Sequence, residues 1–166
     1  MNLVLDISQF TIANSYFLDT RRNIIIDGNF TKLVYSTEEF SMNGVYFLFP
    51  IEVHSLDKIS SKYIIKFNPY SKNNQSVSHE FSKLEYKVLE YYKQMYGKPC
   101  KIVNSLSKQI YSGSLKIYRD YSIDARNPIG EDIKTAKFIL KVSGVWETKD
   151  DIGITFKLFQ KIDEFI

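Results

Sequence analysis

One segment sets the organisation of the chain through the spacing of its apolar residues: Phe81-Ser-Lys-Leu-Glu-Tyr-Lys-Val-Leu-Glu-Tyr-Tyr-Lys-Gln-Met-Tyr-Gly97. The residues that recur on one helical face are Phe81, Leu84, Val88, Leu89, Tyr92 and Met95. Ser76 or Ser78 can cap the start of this helix. Gly97 can adopt the left-handed conformation that ends a helix, and Pro99 prevents continuation. The segment therefore predicts one long helix.

Strand patterns precede this helix. Two runs, Val45-Tyr-Phe-Leu-Phe49 and Lys62-Tyr-Ile-Ile-Lys-Phe67, are rich in β-branched and aromatic residues and too short for helices. Asp27-Gly28 and Asn43-Gly44 supply turn signals of the hairpin type. Residues 1–40 otherwise have no clear pattern.

Strand patterns also follow the helix. Residues 115–119 alternate at period two, and residues 137–142 do so more loosely. The last run, Ile154-Thr-Phe-Lys-Leu-Phe159, is expected to pair with the second of these across a polar loop.

This order indicates a mainly β protein with one long helix, of the α+β class. It fits an OB-fold-like β-barrel, in which a helix lies between the third and fourth strands. A small α+β sheet with one covering helix also fits. We favour the barrel, because one helix cannot cover a wide open sheet and closure removes that need. Residues 1–166 are expected to form a single domain, with residues 163–166 as a short acidic tail.

Composition excludes several classes of protein. Apolar residues make up 44% of the 166 residues and aromatic residues 15%, too many for a wholly disordered chain. One Cys excludes an internal disulfide, and two His leave little for a zinc site. The longest apolar run, residues 45–51, is far below the roughly 20 residues of a membrane span. We therefore expect a soluble, intracellular protein without membrane contact.

The sequence contains no catalytic signature. His54 and His79 lie far apart and fit no metal or triad spacing, and there is no phosphate-binding loop or nucleophile motif. We therefore expect a protein that is not an enzyme, with no cofactor and no metal.

Lysines alternate with aromatic residues on the strands after residue 60. Lysines can neutralise the phosphates of a single-stranded nucleic acid, while rings stack on its bases. The candidate phosphate contacts are Lys62, Lys66, Lys101, Lys116, Arg119, Lys137, Lys141 and Lys157. The candidate stacking residues are Tyr63, Phe67, Tyr111, Tyr118, Tyr121 and Trp146. The alternative is that these lysines only solvate the sheet while the rings fill a core, and strand alternation does not indicate which side faces a ligand.

Two single residues leave alternatives open. Trp146 can stack on a base or close one end of the barrel. Cys100, between Lys98 and Lys101 in sequence, can be a reactive thiol or a packed side chain. The packed role is favoured for Cys100, because no His is near in sequence.

The segments Lys62-Tyr-Ile-Ile-Lys-Phe67, 81–97 and Ile154-Thr-Phe-Lys-Leu-Phe159 resemble parts of an OB-fold in their order. Together with a composition rich in Lys, Asn and Ile, they are similar to the single-stranded DNA-binding proteins of poxviruses and other large DNA viruses. The resemblance implies an OB-fold and sequence-independent coating of single strands in viral DNA replication, recombination or repair. It carries over no individual site residue.

We therefore expect a single-stranded DNA-binding protein. Its affinity for oligonucleotides tests this expectation. Its expected partners are single-stranded DNA or RNA, a second copy of the chain in a homo-oligomer, and replication proteins. A viral protein of this kind would act in the host nucleus or at a cytoplasmic replication site. The alternatives are a protein-interaction or structural assembly module without nucleic-acid binding, and an RNA-binding module.

Overall fold

The computed structural model describes residues 3–25, 27–118 and 136–161, in which ten strands form one mixed sheet. The strands are β1 (Ser15–Asn23), β2 (Gly28–Ser36), β3 (Ser41–Asn43), β4 (Val45–Phe49), β5 (Ser55–Ile59), β6 (Lys62–Lys66), β7 (Lys101–Ile102), β8 (Ser114–Tyr118), β9 (Lys137–Glu147) and β10 (Asp151–Lys161). The helices are α1 (Gln75–Tyr96) and α2 (Ser105–Ser112). The protein is therefore mainly β, as predicted.

The main path of the sheet is β1-β2-β9-β10-β8-β6-β5. Three short strands lie off this path, with β3 beside β2, β4 beside β9 and β7 beside β10. Strand β10 is parallel to β7 and β8, and the other neighbouring strands are antiparallel.

The two longest strands, β9 and β10, form the centre of the sheet and confirm the predicted pairing of the last two runs. Gly144 pairs with Thr155, whereas Val142 pairs with Phe156, so Ser143 is an extra residue in β9. Such a bulge bends a strand and increases its twist. It separates β9 into a first half beside β4 and a second half beside β2.

Helix α1 confirms the predicted long helix and its end. Gly97 has φ of 60°, the left-handed conformation in which glycine is favoured. Neither predicted serine cap is correct, because the helix already begins at Gln75. Ser78 lies inside it and donates its hydroxyl to the carbonyl oxygen of Asn74 at 2.9 Å. The predicted apolar stripe is buried against the sheet, except for Met95 in the last turn, which is exposed.

Helix α2 was not predicted from the sequence, and a side chain from α1 explains its start. Glu85 is fully buried, and its carboxylate accepts hydrogen bonds from the backbone N–H groups of Leu106 at 2.8 Å and Ser107 at 2.9 Å. The Ser107 hydroxyl donates to the same carboxylate at 2.6 Å. The carboxylate thus satisfies N–H groups of the first turn that have no partner within the helix, and its charge suits the helix dipole.

Residues 7–14 pack over the same face of the sheet as the two helices, and Leu5 before them is hydrogen-bonded to the edge of β4. The Phe10 ring stacks on Tyr35 at a centroid distance of 5.3 Å and meets Phe47 edge-on at 5.4 Å. The β1–β2 hairpin that follows turns between Asn23 and Gly28, which pair in register, so the predicted Asp27-Gly28 signal lies at the end of the turn and Gly28 already belongs to β2. Much of residues 1–40, which had no clear sequence pattern, therefore completes the core and one end of the sheet.

The predicted closed barrel is not correct for the described strands, which form an open sheet with β1 and β5 at its ends. The prediction assumed that one helix must cover the sheet alone. Instead α1, α2 and residues 7–14 together cover one face, so closure is not needed to bury the core. Neither helix in the described part of the chain is long and apolar enough to span a membrane.

Candidate nucleic-acid interface

The face of the sheet that points away from α1 and α2 is called here the outer face. Successive residues of a strand point to opposite sides, so each strand contributes every second side chain to this face. On the central strands, Leu140 and Leu158 are buried towards the helices, whereas Lys141 and Lys157 lie on the outer face. No element of the described ranges packs over the centre of the outer face, since Lys157 is exposed and Lys141 only partly buried.

Cationic side chains from six strands lie on the outer face. Strand alternation and register place there Arg21, Lys32, Lys62, Lys66, Lys116, Lys137, Lys141, Lys157 and Lys161. The carboxylates on the described strands of this face lie at its margins, on Asp19 in the irregular part of β1, Asp57 on β5 and Asp151 at the start of β10. The charge of the outer face is thus far more positive than the net +3 of the whole chain indicates.

Lysines lie directly opposite one another on β9 and β10. Lys141 pairs with Lys157 in register, and Lys137 pairs with Lys161. Directly opposite residues of an antiparallel pair have Cβ atoms about 4.5–5.5 Å apart, and like charges at that position destabilise the sheet. Two such pairs in succession are therefore unfavourable in the free protein and favourable beside an anion.

Tyrosine rings flank the central lysine pair. The Lys141 ammonium lies 5.1 Å from the centroid of Tyr46 on β4, and the Lys157 ammonium lies 5.0 Å from the centroid of Tyr118 on β8. Lys116 also contacts the Tyr118 ring, at 4.5 Å. These cation–π contacts hold each ammonium beside an aromatic face. The resulting order across four neighbouring strands is ring, cation, cation, ring.

A second group of rings lies at the other end of β9. Trp146 pairs with Gly153 on one side and with Phe30 on the other. A Cβ atom at Gly153 would lie 2.3 Å from the indole, so the ring occupies the space above that glycine. Phe30 covers Gly144 in the same way, with a ring carbon 2.8 Å from where a Cβ atom would be. Both rings are half-buried on the outer face, and Arg21 lies beside Phe30.

A buried polar network fixes the backbone next to Trp146. The Glu147 carboxylate, on the helix side of β9, accepts hydrogen bonds from Lys98 at 2.5 and 2.8 Å and from the Tyr92 hydroxyl at 3.1 Å. The hydrogen bond to Glu147 raises the pKa of Lys98, and burial raises the pKa of Tyr92. These contacts join the end of α1 to β9 and so position the indole.

The structure brings eight predicted site residues to the outer face: Lys62, Lys66, Lys116, Tyr118, Lys137, Lys141, Trp146 and Lys157. Of these, Lys66 already forms an ion pair with Asp57 at 3.1 Å. The shared face arises because β6, β8, β9 and β10 are neighbours in the sheet.

Three other predicted residues lie away from the outer face, and a fourth, Lys101, reaches only its margin. Phe67 is buried, and Tyr63 points to the helix side with Ile65, as strand alternation requires. Tyr111 lies on α2 beside Tyr70, and Lys101 lies on β7 in register with Asp151 at the margin. Two more, Arg119 and Tyr121, and the tail at residues 163–166 lie outside the described residues.

Several residues of the outer face were missed by sequence reasoning, namely Arg21, Phe30, Lys32, Tyr46, Phe159 and Lys161. Tyr46 belongs to a continuous apolar run that shows no alternation in sequence, and the alternating burial of β4 places it outward. A stricter count at period two would have found Phe159 and Lys161.

The cysteine has the packed role rather than the reactive one. Cys100 is buried, and burial raises the pKa of its thiol, which disfavours the reactive thiolate. Within residues 3–25, 27–118 and 136–161, no three His, Cys, Asp or Glu side chains are grouped as metal ligands.

Comparison with known proteins finds no matching family model, no matching curated protein and no matching solved structure. The geometry and charge of the outer face are therefore the basis for assigning a function.

Proposed function

We propose that the outer face binds single-stranded nucleic acid without sequence preference, and that the protein coats exposed DNA strands during replication, recombination or repair. One observation supports this most directly: Lys141 and Lys157 lie side by side between the rings of Tyr46 and Tyr118. Lysines neutralise phosphates, and rings stack on bases at about 1–3 kcal/mol each. The face therefore offers both groups that an unpaired strand requires.

An open sheet suits this role as well as a barrel does. Single-strand binders include sheets whose aromatic side chains stack on two or three bases. Tyr118 is 36% exposed, and Trp146 and Phe159 are half-buried at the surface of such a sheet. Bases inside a duplex are already stacked on one another, so these rings favour an unpaired strand.

A protein-interaction function is the second candidate, and the edge strand β1 supports it. Tyr16 and Leu18 on β1 are 53% and 46% exposed, and Ile24 and Ile25 in the following turn are 99% and 95% exposed. Large apolar side chains at an unpaired strand edge are typical of contact sites for another chain. Strand β2 separates this edge from β9 and its lysines, so both functions can coexist.

A titration with oligo-dT tests the proposed function. Trp146 is the only tryptophan in the chain and lies on the outer face, so its fluorescence reports binding there. We expect quenching at low salt and a log–log salt slope of about −0.7 for each phosphate neutralised. No binding at low salt, or an affinity that salt does not change, would contradict the proposal.

Two further measurements separate the alternatives. Competition between DNA and RNA oligonucleotides of equal length shows whether the 2′-hydroxyl is recognised. A salt-insensitive complex with a protein partner, together with no oligonucleotide binding, would support the protein-interaction function instead.

A further inference from the structure

A nucleic-acid strand on the outer face has two directions open to it, along β9 and β10 or across the sheet. It meets different side chains in each direction. Along the two strands, one end has the lysine pair Lys137 and Lys161. The pair Lys141 and Lys157 follows four residues further along β9, about 13 Å away at 3.3 Å per residue. The far end has the Trp146 ring above Gly153. This direction passes only cations, rings and small or neutral side chains until the margin at Asp151.

From the central lysine pair, the direction across the sheet towards β5 is less favourable for an anion. From the central pair it passes Lys116 and Ile64 and reaches Asp57 on the edge strand β5. The nearest cation there, Lys66, is occupied by Asp57 at 3.1 Å. A phosphate backbone leaving over this edge would therefore meet a carboxylate and an already neutralised ammonium.

We infer that the bound strand runs lengthwise along β9 and β10, with one phosphodiester between Lys141 and Lys157 and a base on Trp146. This inference rests on the proposed function and adds to it the path of the strand and the residues that define it.

The chemistry of the central pair fits a phosphodiester. The two ammonium groups are each held against a ring on the side away from the other, Lys141 by Tyr46 and Lys157 by Tyr118. An anion between them replaces repulsion between like charges with two attractive contacts. The flanking rings then lie where the neighbouring bases or sugars of the same strand can pack. A second phosphodiester fits the pair formed by Lys137 and Lys161.

Two double variants with the same change in charge test the path. Lys137→Gln with Lys161→Gln removes the cation pair that only the lengthwise path reaches, and Lys62→Gln with Lys66→Gln removes two cations on β6, off the path. The affinity for labelled oligo-dT is measured by fluorescence anisotropy from 0.05 to 0.5 M salt, which gives the log–log salt slope of each variant. Circular dichroism checks that both variants are folded.

The on-path variant should reduce the magnitude of the salt slope by about 0.7, for the one phosphate that its lysine pair neutralises, which corresponds to about a 5-fold weaker affinity at 0.1 M salt. The off-path variant should keep the slope of the unmodified protein. Equal losses in both variants, or a greater loss off the path, would overturn the lengthwise path while leaving the proposed function intact. An unmodified protein that does not bind would overturn both.

Discussion

The substitution Gly153→Ala tests whether the Trp146 ring is positioned by the glycine beneath it. An alanine Cβ at this position would lie 2.3 Å from the indole, and ordinary contact needs 3.4 Å, so the ring must move by about 1.1 Å. Gly153 does not have a positive φ, so the backbone itself accepts alanine without strain. The perturbation therefore acts on the indole.

The expected effects on stability and on binding differ in size. Overpacking costs about 1–3 kcal/mol, and the lower end applies because a half-buried ring can move outwards. Replacing glycine by alanine also lowers the entropy of the unfolded chain, which returns about 0.4–1 kcal/mol. The free energy of unfolding should therefore fall by no more than about 1 kcal/mol. The affinity for oligo-dT should fall at least about 5-fold, because one stacked base contributes about 1–3 kcal/mol.

Two assays measure these effects. The emission spectrum of the single Trp reports the displaced ring, and anisotropy of a labelled oligonucleotide reports affinity. Trp146→Leu serves as the comparison, and combining it with Gly153→Ala should cause little further loss, since both changes remove the same contact. An unchanged spectrum with unchanged affinity would show that Gly153 does not position the indole. Affinity losses of the two substitutions that simply add would show that they do not remove the same contact.

Three further predictions concern the framework of the fold. Glu85→Ala should lower the free energy of unfolding by at least about 3 kcal/mol in urea titrations, because the buried N–H of Leu106 loses its acceptor and Ser107 loses two hydrogen bonds; a loss below about 1 kcal/mol would contradict this role. The pKa of Lys98 is raised by its hydrogen bond to Glu147, so this stabilisation is complete below about pH 10.4 and is lost as the pH rises through the folded pKa. Thermal melts from about pH 10 to about pH 12 should therefore show a steeper alkaline decline for the unmodified protein than for Lys98→Met, and identical slopes would contradict it. Cys100 should react with a maleimide far more slowly at pH 7 than a free thiol does, because burial raises its pKa, and equal rates would show that it is accessible.

The parts of the fold that follow from local periodicity were predictable. The stripe of α1, its end at Gly97 and the pairing of β9 with β10 are encoded by neighbouring residues in the chain. Helix α2 was not, because its start depends on Glu85, about 20 residues earlier and on another helix. The closed barrel was predicted wrongly because residues 7–14 also cover part of the sheet. They do so through long-range contacts, such as Phe10 on Tyr35, which the local sequence does not show.

The candidate site was predictable in part for a similar reason. Period two determines which residues of a strand share a side, so Lys116 with Tyr118 and Lys137 with Lys141 were grouped correctly. Alternation alone does not indicate which side faces the helices, and Tyr63 was therefore included although it points towards them. Arg21 and Phe30 reach the outer face only through the pairing of β2 with β9, for which the sequence gives no local signal.

The central claim is that the outer face, rather than the helical side, binds single-stranded nucleic acid. The most direct test compares the affinities of two charge-reversed variants for labelled oligo-dT at low salt. Lys141→Glu with Lys157→Glu alters the outer face, and Lys83→Glu with Lys87→Glu makes the same change on the exposed side of α1. We expect that binding is abolished in the first variant and retained in the second. Binding by the first variant as tight as that of the second would contradict it.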